Sequence, residues 1–254
     1  MDIFPRHVVC ILGRWDNFKE VKSIIRAAGT GFTFDEEFSQ LTPDERMSDA
    51  FDASRDRFNT TLKDADWQDI ETHTAVCYIL SPPMPKDQAQ DISSRTLLLV
   101  AHLLAAGGLA AKSESAGLAH GRNHWTSLGQ KFLTAKNSGD SHSAAATLYW
   151  AWVQRLIHDQ TNGVFHSVGM HLLGQRDTQI DDALKPSEAM QWIDLMGLYL
   201  VADQPDRPLL NGEGFRLHDN GPRRIIELVP CHTYDEDDFF FNPYGYHYLN
   251  ANTP

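Results

Sequence analysis

The chain has 254 residues, 42% of them hydrophobic, and a formal net charge of −12. That length and apolar content suffice for one large core or two small ones. The charge argues against nucleic acid and anionic membrane as partners, and favours a basic partner reached by fast, salt-sensitive association. The nearest thing to a basic stripe is the pair Arg223 and Arg224.

The cysteines Cys10, Cys77 and Cys231 lie far apart, with no CxxC and no disulfide framework. Cys10 and Cys77 sit in apolar runs, where a free thiol behaves as a small hydrophobe. The first residues lack the charged and apolar regions of a signal peptide. The most apolar stretch, residues 97–111, is broken by His102 and by Gly107 and Gly108, and is shorter than the roughly 20 residues of a membrane span. A soluble protein of the reducing cytoplasm is expected.

Residues 7–12 are β-branched and apolar, and predict a buried first strand. Residues 18–28 follow with helical spacing and stop before Gly29. Residues 32–38 suggest a short strand. Thr42, Pro43 and Glu45 form a capping-box pattern that predicts a helix running to about residue 62. Residues 75–80 predict a second strand, ended by Ser81, Pro82 and Pro83. Residues 87–106 predict a long helix whose apolar second half is buried on most sides. This helix is expected to cover a sheet holding the first two strands. Residues 109–112 suggest a return strand, and residues 122–135 an amphipathic helix. Residues 137–141 are the best loop signal and a possible sub-domain boundary. Residues 144–157 are ambiguous, Ala-rich like a helix yet carrying Tyr149, Trp150, Trp152 and Val153. Residues 164–173 predict a strand, 187–202 a buried helix, and 224–229 a late strand. Both element types alternate irregularly, which predicts one α+β domain over residues 1–254: a mixed sheet flanked by helices, in two closely packed halves.

The end of the chain combines charge and aromatic side chains most densely. Asp235, Glu236, Asp237 and Asp238 are consecutive carboxylates, followed by Phe239, Phe240, Phe241, Tyr244, Tyr246 and Tyr248. An acidic edge beside aromatic anchors suits docking onto a basic surface. The competing reading packs the aromatics on the core and leaves the acids in water. The partner-binding candidates are Asp235, Glu236, Asp237, Asp238, Phe239, Phe240, Tyr244 and Tyr246.

Chemical motifs are weaker. His120 and His124 are four apart, the spacing of a zinc pair on a helix, but no HExxH glutamate lies between them and Gly121 weakens a helix there. His158, His166 and His171 surround another turn. His166 and His171 would point to opposite faces of one regular strand. Asp181 with Asp182, and Asp35 with Glu36 and Glu37, read more readily as solvated loop carboxylates than as a divalent-ion site. No GxSxG elbow, P-loop, GxGxxG or EF-hand loop is present. No catalytic residue, cofactor or metal is therefore expected.

Two stretches resemble a family of uncharacterised bacterial proteins. One runs from Gly107 and Gly108 through Lys112, Ser115, Gly117 and His120 to Trp125. The other runs from His166 through Gly169, Met170 and Gly174 to Asp177 and Ile180. The resemblance spans roughly residues 76–186, with glycines and small residues carrying most of it. Members and their relatives often look like immunity proteins encoded beside type VI secretion toxins. In size, acidity and organisation the whole chain is similar to the TsiT kind, paired with a nuclease-type toxin. The resemblance implies stoichiometric occlusion of a cognate basic toxin in bacterial competition, with no catalytic residue to carry over. It also implies that the matched glycines serve backbone geometry or close packing. The alternatives are a small metal-dependent or His-based hydrolase using His120, His124 or the 158–171 histidines, and a structural adaptor in a secretion apparatus.

Overall fold

A computed structural model describes residues 3–251. Its first strand, β1 (Val8–Gly13), is followed by helix α1 (Lys19–Ala27) and a two-residue strand β2 (Thr33–Phe34). The capping-box pattern at Thr42 does not start a helix. Gln40 instead bridges to Val76, its side chain holds the carbonyls of Thr42 and Pro43, and Asp44 donates its N–H to His73. The segment is thus drawn along the sheet edge. Two short helices replace the long one expected, α2 (Met47–Ala53) and α3 (Asp64–Glu71). At the start of α3 the Asp66 carboxylate accepts from the Lys63 N–H, half of a capping box.

Strand β3 (Ala75–Leu80) pairs antiparallel with β1, as its apolar sequence predicts. Helix α4 (Ala89–Ala105) leads to β4 (Gly108–Ser113) and β5 (Leu118–Gly121). These strands form an antiparallel sheet in the order β2-β3-β1-β4-β5. Strand alternation divides its side chains. Val9, Ile11, Cys77 and Ile79 face α4 and its residues Leu97, Leu99, Leu103 and Leu104. Cys10, Leu12, Val76 and Ala110 face Met47, Phe51 and Ile70 of α2 and α3. Each large aliphatic buried this way is worth about 1.5–3 kcal/mol, which is why both faces need a helical cover.

Helices α5 (Arg122–Ser138) and α6 (Ser141–Trp152) are joined only by Gly139 and Asp140, and Asp140 caps α6 through Ser143. The expected boundary loop is thus a tight turn between packed helices. The ambiguous segment that follows is both things in succession: α6 ends at Trp152 and β6 (Gln154–Asp159) begins two residues later. Strand β7 (Val164–Val168) ends earlier than expected, and residues Met170–Leu173 form a tight helical turn. Strand β8 (Asp177–Asp181), helix α7 (Pro186–Leu198), β9 (Gly214–Arg216), β10 (Arg223–Val229) and β11 (Tyr246–Asn250) complete a second sheet. Its order is β6-β7-β8-β11-β10-β9, and only the central β8–β11 pair is parallel. The α+β class is as expected, but there are two sheets and only the second is mixed. One apolar cluster continues from β1 and β3 through α4 and α6 to Phe165, Ile180, Ile226 and Leu249 of the second sheet.

Candidate functional site

The segments around Gly117 and Gly169 meet beneath the acidic-aromatic tail. Gly169 follows β7 at φ 116°, and a Cβ there would lie 2.1 Å from the Trp152 carbonyl oxygen and 3.2 Å from Ala116. Only glycine permits that approach and that conformation together. Gly117, at φ 60°, lies directly beneath the Phe240 ring, which a Cβ would meet at 2.7 Å. The geometric role expected of the matched glycines is what these two perform, and they bring β5, β7 and the tail together.

Asp177 fastens the tail to this junction. Its Oδ1 accepts from the Ser167 hydroxyl (2.8 Å) and the Met170 N–H (3.2 Å), and its Oδ2 accepts from Asn242 Nδ2 (2.6 Å). Asn242 Nδ2 also donates to the Gln175 carbonyl, and its Oδ1 accepts from the Tyr244 N–H. Three donors satisfy a carboxylate that is 1% exposed, as a buried charge requires. On the same side, His166 Nε2 bonds the Tyr234 hydroxyl at 2.9 Å. Burial pushes His166 down to about 4, with Asp177 pulling in the opposite sense, so the ring is neutral at neutral pH. His171 Nδ1 lies 4.0 Å from Asp177. His166 and His171 do not lie in one regular strand, since β7 ends at Val168 and Gly169 turns the chain before His171. This group is nonetheless not a nucleophile arrangement. Ser167 gives its proton to a carboxylate rather than to a histidine, and Ser167, His171 and Asp177 are all shielded from solvent.

Above this anchor the tail presents its charge. Asp235, Glu236, Asp237 and Asp238 are exposed, and none forms an ion pair among the described residues. Their turn is held by Asp238, whose N–H bonds the Asp235 carbonyl and whose Oδ1 accepts from the Phe240 N–H. Phe239 projects from it, 56% exposed. Phe240 turns inward, edge-on to Tyr234 at 5.4 Å. Tyr244 is half-buried, with the Lys86 ammonium 5.2 Å from its ring centre. Tyr246 lies within β11 and is 1% exposed, so it is a sheet residue rather than a presented contact. The tail's residues divide by exposure. The acids and Phe239 face solvent, Tyr246 is core, and Phe240 and Tyr244 lie between. Under the turn runs a groove of about 610 Å³, lined by Arg176, His232, Tyr234, Asp235, Glu236 and Tyr244.

The other sequence candidates are scattered. His120 belongs to β5 and His124 to α5, so they share no helix face; their ring centres lie 4.5 Å apart, tilted by 47°, and His120 packs edge-on to Trp125. Burial holds His120 well below the usual histidine range. His158 pairs with Asp182, Glu36 with Lys22, and Asp35 caps its own turn through the Glu37 and Phe38 N–H groups. Among the described residues no group of three or more His, Cys, Asp or Glu is placed to hold a metal ion. No helix there is long and apolar enough to cross a membrane. Sequence reasoning missed Arg176, Lys86 and the Asp177–Asn242 anchor, because nothing in their spacing links positions so far apart. Comparison with protein-family models, with curated proteins and with solved structures finds no match to this chain.

Proposed function

We propose that the chain is an immunity protein that neutralises a basic, secreted antibacterial toxin in the cytoplasm by stoichiometric binding. The observation that carries this reading is the turn of four exposed, unpaired carboxylates with Phe239 projecting beside them, fastened to the core through Asn242 and Asp177. Surface carboxylates without ion-pair partners, held together in one turn, repel one another. They also create a local field that accelerates encounter with a cationic partner. An exposed aromatic ringed by such charge is suited to become the buried centre of an interface. A nuclease-type toxin presents positive charge to phosphate, so an acidic turn competes for the same surface. The test is protection. Co-expression with a basic toxin encoded in the neighbouring reading frame should rescue a sensitive bacterial host, and the purified pair should titrate one to one by calorimetry. A host killed despite full expression of the folded protein, with no heat of binding, would remove the proposal.

A further inference from the structure

A second cleft, of about 680 Å³, opens beside the groove under the acidic turn and shares Arg176 with it. Its walls come from the start of α4 and the turn before it, the segment leading into β8, β11, and residues 200–209 after α7. Arg176 is half-buried, yet it has no hydrogen bond or ion pair among the described residues, in a chain with 34 acidic and 22 basic residues. Lys86 also lines the cleft and has no ion pair among the described residues, and its ammonium sits 5.2 Å from the Tyr244 ring centre. His247, 4% exposed, lines the same cleft, and its Nδ1 has no partner among the described residues. Arg176 and Lys86 both act on that imidazole, in addition to its burial, to keep it uncharged. The acids Asp87 and Asp206 lie on the cleft walls but pair with neither cation.

A half-desolvated guanidinium is normally matched by a carboxylate or phosphate, because its five donors are otherwise left short of partners. Here two cations without ion-pair partners and a buried imidazole with an unpartnered nitrogen line one cleft. We infer that this cleft binds an oxyanion, a carboxylate- or phosphate-bearing small molecule, with Arg176 as the bidentate donor, Lys86 as the second cation and His247 at the floor. The cleft selects the opposite charge to that sought by the acidic turn, and it shares Arg176 with the groove beneath that turn.

The probes are inorganic phosphate and propionate, titrated calorimetrically at constant ionic strength against a chloride control. The wild type should bind at least one of them above chloride, and the tighter of the two identifies phosphoryl or carboxylate ligands. Arg176→Gln should weaken that binding about tenfold or more, as loss of a bidentate charged contact does. Lys86→Met, at an exposed position where folding is not at stake, should weaken it about threefold or more. Binding of neither probe above chloride would overturn the inference, as would full affinity in folded Arg176→Gln. If that variant fails to fold, an unchanged affinity in Lys86→Met overturns it instead.

Discussion

Asn242→Ala should uncouple the tail from the core, and its cost follows from three hydrogen bonds. The bond to Asp177, at 2.6 Å, is charge-assisted; those to the Gln175 carbonyl and from the Tyr244 N–H are neutral. A bond to a charged group contributes about 1.5–3 kcal/mol and a neutral one about 0.5–1.5 kcal/mol. The side chain is 1% exposed, so water replaces the lost partners poorly. Truncation should therefore cost about 3–4 kcal/mol, a drop in melting temperature of roughly 6–16 °C for a chain of this length. Urea unfolding followed by circular dichroism gives the free energy, and amide exchange locates it. The N–H groups of Asp238, Phe240 and Tyr244 should exchange faster, while those of β1 and β3 keep their order of protection. A double-mutant cycle with Asp177→Asn should show coupling above about 1 kcal/mol. A loss below about 1 kcal/mol, with tail exchange unchanged, would show that Asp177 and Asn242 do not hold the turn.

Arg155, in β6, bonds Asp56 at 2.9 Å and Asp194 of α7 at 3.1 Å, all largely buried. Burial raises Asp194 while Arg155 opposes the shift, so removing the cation leaves carboxylates that are costly to keep charged. Arg155→Met should destabilise by about 3–5 kcal/mol, read as the urea midpoint; a shift within error would mean the triad is solvated. Acid should also weaken the fold. Burial pushes His7 down to about 3, and His166 and His247 to about 4, from an ordinary 6.5. Between about pH 6.5 and 4 the unfolded chain binds protons that the folded chain refuses, so stability is full above pH 6.5 and falls as pH drops. Each histidine contributes a slope of up to about 1.4 kcal/mol per pH unit, about 4 for the three. A flat urea midpoint from pH 7 to 5 would contradict their burial in the neutral form.

What the sequence made legible was what apolar burial alone decides. The strands at β1 and β3 pair with each other under α4 because no other arrangement hides so many contiguous aliphatics. Elements whose form depends on distant partners were not legible. The chain breaks after α2 because Asp56 turns it through the Phe58 and Asn59 N–H groups and serves Arg155, 99 positions away. Strand β8 looks like an acidic loop, since Asp177 and Thr178 are polar, yet it lies between β7 and β11 near the middle of its sheet. Charge and aromatic density located the acidic turn, but not which of its rings faces solvent. Tyr246 is taken up by pairing with Val229 and Asp177 across its sheet, while Phe239 has no such register to join.

The most direct test of the proposal is the rate at which the protein associates with a basic toxin encoded beside it. It should be followed by stopped flow for the wild type and for the Asp235→Asn, Glu236→Gln, Asp237→Asn, Asp238→Asn variant. At low salt the neutralised variant should associate about tenfold or more slowly, and the gap should close as added salt shortens the field to roughly 8 Å at physiological ionic strength. Dissociation should change little, whereas Phe239→Ala should speed it. Equal association rates at low salt, with both proteins folded and the complex formed, would contradict the assignment of the acidic turn as the docking surface.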